Sequence, residues 1–303
     1  MKRFWIVGML MCSLVSSAVA GPFDGYNCRT GIVYKTVNGE VLDMVLFLPK
    51  VKKYDKAPIT LYTHGGGWGK GDKTKIFRGD HQGVLDILLE NGIACASIEY
   101  RLTRRDISTA YDCVVDCKDA ARFLVKHADE YGLDPQRMAA WGGSAGGHLC
   151  LMTALAPNSL FPGDEDLAGV NPTFRCIASF YPMTAFTVPE VRAGSNFTNP
   201  NRFVPFLGGP YDENVELARK LSPVEYVTKD SPPVLLLHGD KDQVLNYRSS
   251  TYMMEIAEER GADVELLTVT NGLHGFGGEN IQPSMEEIHR IAAGFMIKHL
   301  LAE

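Results

Sequence analysis

The chain has no excess of positive charge: 30 Lys+Arg stand against 36 Asp+Glu, a formal net charge of −6, and no long basic run occurs. The electrostatic footprint of a nucleic-acid binder or of an anionic-membrane binder is therefore missing. Metal-ligand spacing is missing too, with no HExxH, no CxxC pair and no spaced His-Asp set. Neither a metal nor any other cofactor is expected. Cysteine is dilute: beyond Cys12 there remain Cys28, Cys95, Cys113, Cys117, Cys150 and Cys176. That is too few for a disulfide scaffold at this length. Cys113 and Cys117 lie four apart on one helical face, which permits a bridge without requiring one.

Long apolar runs are also absent, so no stable membrane anchor is expected. The apolar stretch Phe4 to Val15 is too short to span. It follows Lys2 and Arg3 and precedes the small-residue pattern Ala18-Val19-Ala20, which reads as a secretory signal peptide over residues 1–20. The expectation is a secreted or periplasmic protein whose residues 21–303 form a single catalytic domain.

What is present is an alternation of strand-like and helix-like segments. Gly31 to Val37 and Glu40 to Leu48 flank Asn38-Gly39, a hairpin signal. Strands are then expected at Ile59–Thr63, Ile93–Ile98, Arg137–Trp141, Cys176–Tyr181, Pro233–His238 and Val264–Thr270. Helices are expected near Gln82–Glu90, Thr109–Ala128, Ser249–Arg260 and Met285–Leu300, the last with a Ser284/Glu287 capping box and an Ile288, Ile291, Phe295 stripe. About eight strands with interleaved helices predict an α/β fold: one open, mostly parallel sheet with helices on both faces. Two stretches break the alternation, Pro157–Pro172 and Pro182–Leu221, and both are candidates for shaping a ligand site. The acidic turn Asp164–Asp166 in the first reads most plainly as a solvated loop.

The strongest local signal is Trp141-Gly142-Gly143-Ser144-Ala145-Gly146-Gly147-His148, between a strand and an apolar helix. Gly142-x-Ser144-x-Gly146 is a nucleophile elbow, a sharp turn that lifts the serine oxygen above a sheet. No Lys-Ser or Lys-Thr follows its glycines, so it is not a phosphate-binding loop. Upstream, His64-Gly65-Gly66-Gly67-Trp68 ends a strand. Acyl transfer needs donors at the oxygen that turns negative, and the backbone N–H groups of Gly66, Gly67 and Ala145 suit that role.

Of eight histidines, His81, His127, His289 and His299 fall on helix-like segments as solvated or half-buried groups. His148 is too near the elbow to reach back to Ser144, and His64 and His238 end strands and organise loops. His274, in the loop after the last strand, remains as the base, consistent with the chain order Ser…Asp…His. The orienting acid should lie in His238-Gly239-Asp240-Lys241-Asp242, where Asp242 is better placed and Asp240 could instead tie down its own turn.

With these motifs the chain resembles the α/β-hydrolase superfamily over nearly all of Tyr26 to Leu301. Its HGGGW, GGSAGGH, HGDKD and GLHGF segments are similar to those of small esterases related to hormone-sensitive lipase and of bacterial feruloyl and acetyl-xylan esterase-like proteins. The resemblance implies a serine esterase, places the acid at Asp242, three positions after His-Gly, and makes Glu99-Tyr100-Arg101 structural. The long N-terminal helical cap of many lipase relatives is absent, which suggests an open site for short acyl groups or for esters on bulky carbohydrate. The expected partner is a small ester or an esterified polysaccharide. Trp68, Tyr181, Phe186 and Phe203 are candidate substrate contacts, although aromatics beside such loops equally serve as core. Two other readings use the same features: an amide or formamide hydrolase (an arylformamidase or a small peptidase), and a non-catalytic binding protein on the hydrolase fold.

Overall fold

A computed structural model of the chain describes residues 21–302. The segment read as a signal peptide lies outside them. Apolar alternation around Asn38-Gly39 produces the hairpin of β1 (Cys28–Val37) and β2 (Glu40–Phe47), with both turn residues at positive φ. Six strands follow: β3 (Ala57–Thr63), β4 (Ala94–Ile98), β5 (Leu133–Gly143), β6 (Cys176–Phe180), β7 (Val234–Gly239) and β8 (Val264–Val269). They form one sheet in the order β1-β2-β4-β3-β5-β6-β7-β8. The β1·β2 and β2·β4 pairs are antiparallel and all the others are parallel. This is the α/β-hydrolase architecture expected from the sequence.

The two-residue period of the strands divides the core between the two faces of the sheet. Met44, Leu46, Leu61, Ala140 and Leu236 point to the face covered by the helices Ala110–Lys126, Ala145–Leu155 and Arg248–Arg260. Val45, Phe47, Tyr62, Trp141 and Leu237 point to the other face, under the helices Gln82–Glu90 and Met285–Leu301. The capping box of Ser284 and Glu287 starts that last helix, with the Ser284 N–H and hydroxyl both donating to Glu287. Its buried stripe departs from expectation. Ile288 and Phe295 are buried with Ala292 and Met296, but Ile291 is exposed, because three residues on from Ile288 the chain has turned to the edge of that face.

Expected and observed strands differ mainly at their ends, β5 starting four residues early, straight after the left-handed Gly132. The six described cysteines are free, so Cys113 and Cys117 form no bridge. The Cys113 thiol instead lies 3.1 Å from the Arg101 carbonyl oxygen, to which it donates.

Of the two interruptions, only 182–221 reaches the carboxyl end of the central strands, where it contributes Asn196, Phe197 and Arg202 to a cleft. The stretch 157–172 packs elsewhere. Lys118 donates to the Ala156 carbonyl oxygen and to Asn158 at its start, the Asp164 N–H donates to Asp119, and Phe161 is buried. Its acidic turn closes a short 3₁₀ turn through the Asp164 carboxylate, which accepts from the Asp166 N–H.

Candidate active site

β5 ends at Gly143 and the helix Ala145–Leu155 begins two residues on, so Ser144, the single residue between them, must make the whole turn itself. It does so at φ 60°, ψ −121°, a conformation that L side chains rarely adopt and that is characteristically kept at functional positions. Its N–H donates to the Phe180 carbonyl oxygen and its carbonyl accepts from His148. Backbone crowds the turn, so it needs glycine beside the serine: a Cβ on Gly146 would land on the Thr63 carbonyl oxygen.

His274 Nε2 lies 2.9 Å from Ser144 Oγ, and His274 Nδ1 lies 2.7 Å from Asp242 Oδ2. The Asp242 side chain is wholly buried and its other oxygen accepts from the N–H groups of Val244 and Leu245 at 2.8 and 3.0 Å. Burial alone would raise its pKa, but hydrogen bonds from His238 and His274 outweigh that and hold the carboxyl well below the usual carboxylate range. An ionised Asp242 fixes the His274 tautomer, with Nδ1 donating to the carboxylate and Nε2 left to accept the serine proton. Asp240 lies outside this line, and its Oδ1 has no partner among the described residues.

His238 supports the acid from below. Its Nδ1 is 2.7 Å from the Ser250 hydroxyl, and its Nε2 lies 2.9 Å from the Leu245 carbonyl oxygen and 3.3 Å from Asp242 Oδ2. His64 organises the glycine loop: its ring stacks on Tyr100 at 4.2 Å, Nδ1 lies 3.0 Å from the Gly65 carbonyl oxygen, and the Tyr100 hydroxyl donates to the His64 carbonyl. The loop beyond it runs against the elbow, a Cβ on Gly65 falling 2.7 Å from the Gly143 carbonyl oxygen. Gly66 and Gly67, both at positive φ, line the same cleft as Ser144 and His274. Ala145, the third expected donor, follows Ser144 directly and is buried.

The aromatic candidates separate. Phe186 and Phe203 are buried in a cluster with Phe197 and Phe206 and do not line the cleft. Trp68 borders the cleft but is only 2% exposed, its indole N–H donating to His148 Nδ1. Tyr181 is likewise 2% exposed; it packs edge-on against His274 and donates its hydroxyl to the buried Asp80. These side chains hold the walls in place rather than offering faces for stacking: the apolar cluster under the glycine loop takes Trp68, Phe186 and Phe203, while Tyr181 packs against Phe180 and Phe276 on the other side of the sheet.

His81 departs from expectation: it precedes the helix Gln82–Glu90 and is buried against Tyr62, Trp141 and Phe180. Its Nδ1 lies 3.1 Å from the Tyr62 hydroxyl. Glu99, Tyr100 and Arg101 stay out of the cleft. Glu99 pairs with Lys73, and Arg101 grips the buried Asp116 through Nε and Nη2 at 2.7 and 2.8 Å.

The cleft has a volume of about 640 Å³ and opens at the carboxyl ends of β3, β5 and β6. Four cations border it that motif reasoning did not single out, Lys70, Lys75, Arg78 and Arg202. For Lys70, Lys75 and Arg78 the available signal was the recurrence of basic residues after the glycine loop in Gly69–His81; Arg202 lies far from it in the chain.

Comparison with known proteins agrees with this geometry. The BD-FAE family profile matches residues 43–256, which is most of the chain. The chain belongs to the BD-FAE family. Curated relatives include the esterase LipQ of Mycobacterium tuberculosis, 28% identical over 85% of this chain and 60% of LipQ. A second, the probable carboxylic ester hydrolase LipM of the same organism, is 32% identical over 62% of this chain and 42% of LipM. This BD-FAE chain thus spans roughly half the length of those two proteins. The ethyl acetate hydrolase of Pseudomonas putida is 28% identical over 86% of this chain and 79% of that enzyme. Among solved structures, the propionate-bound esterase Est2 of Thermogutta terrifontis superposes with a TM-score of 0.73 at 24% identity, covering 93% of this chain and 97% of Est2. The BD-FAE chain therefore shares its fold with Est2.

Proposed function

We propose that this protein is a serine carboxylic-ester hydrolase that works by two-step acyl transfer. The observation that carries this reading is the continuous line from Ser144 Oγ through His274 to the buried Asp242, opening into the cleft that Gly66 and Gly67 border. In the first step Ser144 attacks the ester carbonyl while His274 Nε2 takes its proton. Asp242 steadies the imidazolium. The oxyanion lies among the N–H groups of Gly66, Gly67 and Ala145, and the collapse of the tetrahedral intermediate returns the proton to the departing alcohol. Water then repeats the sequence on the acyl-enzyme.

Short acyl groups, or acetyl and feruloyl groups on carbohydrate, are the esters this reading favours. It is supported by the open cleft, by membership of the BD-FAE family and by likeness to the ethyl acetate hydrolase over most of that enzyme's length. Export directed by residues 1–20 belongs to the same proposal. The test is hydrolysis of p-nitrophenyl acetate, butyrate and octanoate beside acetylated xylan and methyl ferulate, with Ser144→Ala as control. Serine-dependent turnover with acetate above octanoate is expected. No turnover of any of them would overturn the proposal.

A further inference from the structure

The protein as a whole is acidic, yet among the described residues no carboxylate lines the cleft that holds Ser144 and His274, and four cations do. The cations are differently held. Lys70 and Arg202 are exposed and have no acidic partner within ion-pair distance among the described residues. Lys75 is partly exposed and lies near the exposed Asp72 without forming an ion pair. Arg78 is anchored, with its Nε 3.3 Å from the buried Asp80, which also accepts from Tyr181. Asp80 lies beneath the cleft wall, and Asp242 is committed to His274, so neither presents its charge to the opening.

The two arginines stand beside the two halves of the chemistry. Arg202 Nη2 is 3.1 Å from where a Cβ on Gly67 would sit, next to the oxyanion loop. Arg78 Nη2 is 2.8 Å from where a Cβ on Gly275 would sit, next to the base. A mostly unpaired positive rim around a concave site concentrates anionic ligands and speeds their arrival. A guanidinium held by an acid behind it is a pre-organised fork for an oxyanion.

Resting on the hydrolase reading above, we propose that the preferred substrates are esters carrying a carboxylate or another anionic substituent close to the scissile bond, selected by Lys70, Lys75, Arg78 and Arg202. His274 hands its proton to the departing alcohol, so Arg78 faces an anion on the alcohol part. Arg202, beside the oxyanion loop, is placed to meet one carried by the acyl part.

The test compares matched esters: 4-acetoxybenzoate with methyl 4-acetoxybenzoate, for charge on the alcohol, and p-nitrophenyl hemisuccinate with p-nitrophenyl butyrate, for charge on the acyl group. Each kcat/KM is divided by the hydroxide-catalysed rate of the same ester, which removes differences in intrinsic reactivity. The charged member of at least one pair should be favoured about tenfold, the order expected from one charge-assisted contact. The preference should shrink as ionic strength rises from roughly 0.01 to 0.5 M. It should also fall toward unity, through KM, in Arg78→Gln if the charge is on the alcohol, or in Arg202→Gln if it is on the acyl part. Because Arg78 also holds Asp80, the Lys70→Gln/Arg202→Gln double variant and the salt series decide the matter if Arg78→Gln does not fold. Turnover of the neutral esters with no preference for the charged ones, or a preference that survives salt and every substitution, would overturn this inference and leave the hydrolase reading standing. Failure to hydrolyse any of the four would instead count against the hydrolase reading.

Discussion

The Trp68 indole N–H donates to Nδ1 of His148 at 3.1 Å, and His148 Nε2 donates to the Leu221 carbonyl oxygen at 2.7 Å. One buried imidazole thus joins the glycine loop, the helix behind the nucleophile and the end of the 182–221 segment. The bond requires His148 to be neutral, since a protonated ring has no acceptor to offer. Burial lowers its pKa to about 4, and burial does the same for His64, which supports the glycine loop from its other end.

Acid stability follows from that pair. Unfolded, each ring titrates near 6.5, so between pH 6.5 and 4 the unfolded chain binds protons that the folded one refuses. Stability should therefore fall as pH drops through this window. Asp242, whose folded pKa is depressed, adds its own loss only as the pH falls below its ordinary value of 3.8. Thermal melts from pH 7 to 4 should show a steady decline that is shallower in His148→Gln, which keeps a donor and an acceptor but does not titrate. An unchanged slope in that variant would contradict the assignment.

The elbow should not tolerate a methyl group. Gly146→Ala drives its Cβ into the Thr63 carbonyl oxygen, which is backbone and cannot swing aside. A loss of about 3 kcal/mol, the upper part of the usual overpacking range, is expected in denaturant melts.

Phe186 should behave as core. It is fully buried, so Phe186→Ala should cost about 3–5 kcal/mol of stability. The ratio of acetate to octanoate hydrolysis should stay within about twofold, because the ring does not line the cleft. A changed chain-length preference at unchanged stability would show that the ring meets substrate after all.

Asp242→Asn keeps the shape of the acid and removes its charge, leaving an amide that favours the wrong tautomer of His274. A fall in kcat on the order of 10³–10⁴-fold with little change in KM is expected from steady-state kinetics.

Much of this site was legible in the sequence because its parts are local. A strand, five residues rich in glycine and an apolar helix specify the elbow around Ser144, and His-Gly followed by two aspartates specifies a turn after β7. The hairpin and most of the helices follow from period and punctuation in the same way. What was not legible depends on residues distant in the chain. The sequence leaves Trp68 and Phe186 open between substrate contact and core, because nothing local shows that Phe197 and Phe206 close over them. His81 reads as a solvated or half-buried helix residue, whereas its position ahead of the helix Gln82–Glu90 turns it under Tyr62 and Trp141. Ile291 fell on the expected stripe by spacing, but the neighbouring helix Gln82–Glu90 covers a face centred nearer Ala292. The cationic rim joins Arg202 to Lys70, Lys75 and Arg78 across more than a hundred residues, and only the folded sheet brings them together.

The most direct test of the central claim is to label the protein with a fluorophosphonate, locate the adduct by peptide mass mapping and assay the same preparation on p-nitrophenyl acetate. Stoichiometric labelling at Ser144, with parallel loss of turnover and neither labelling nor turnover in a folded Ser144→Ala variant, is the expected result. Labelling at another residue, or turnover near the wild-type rate in Ser144→Ala, would contradict it.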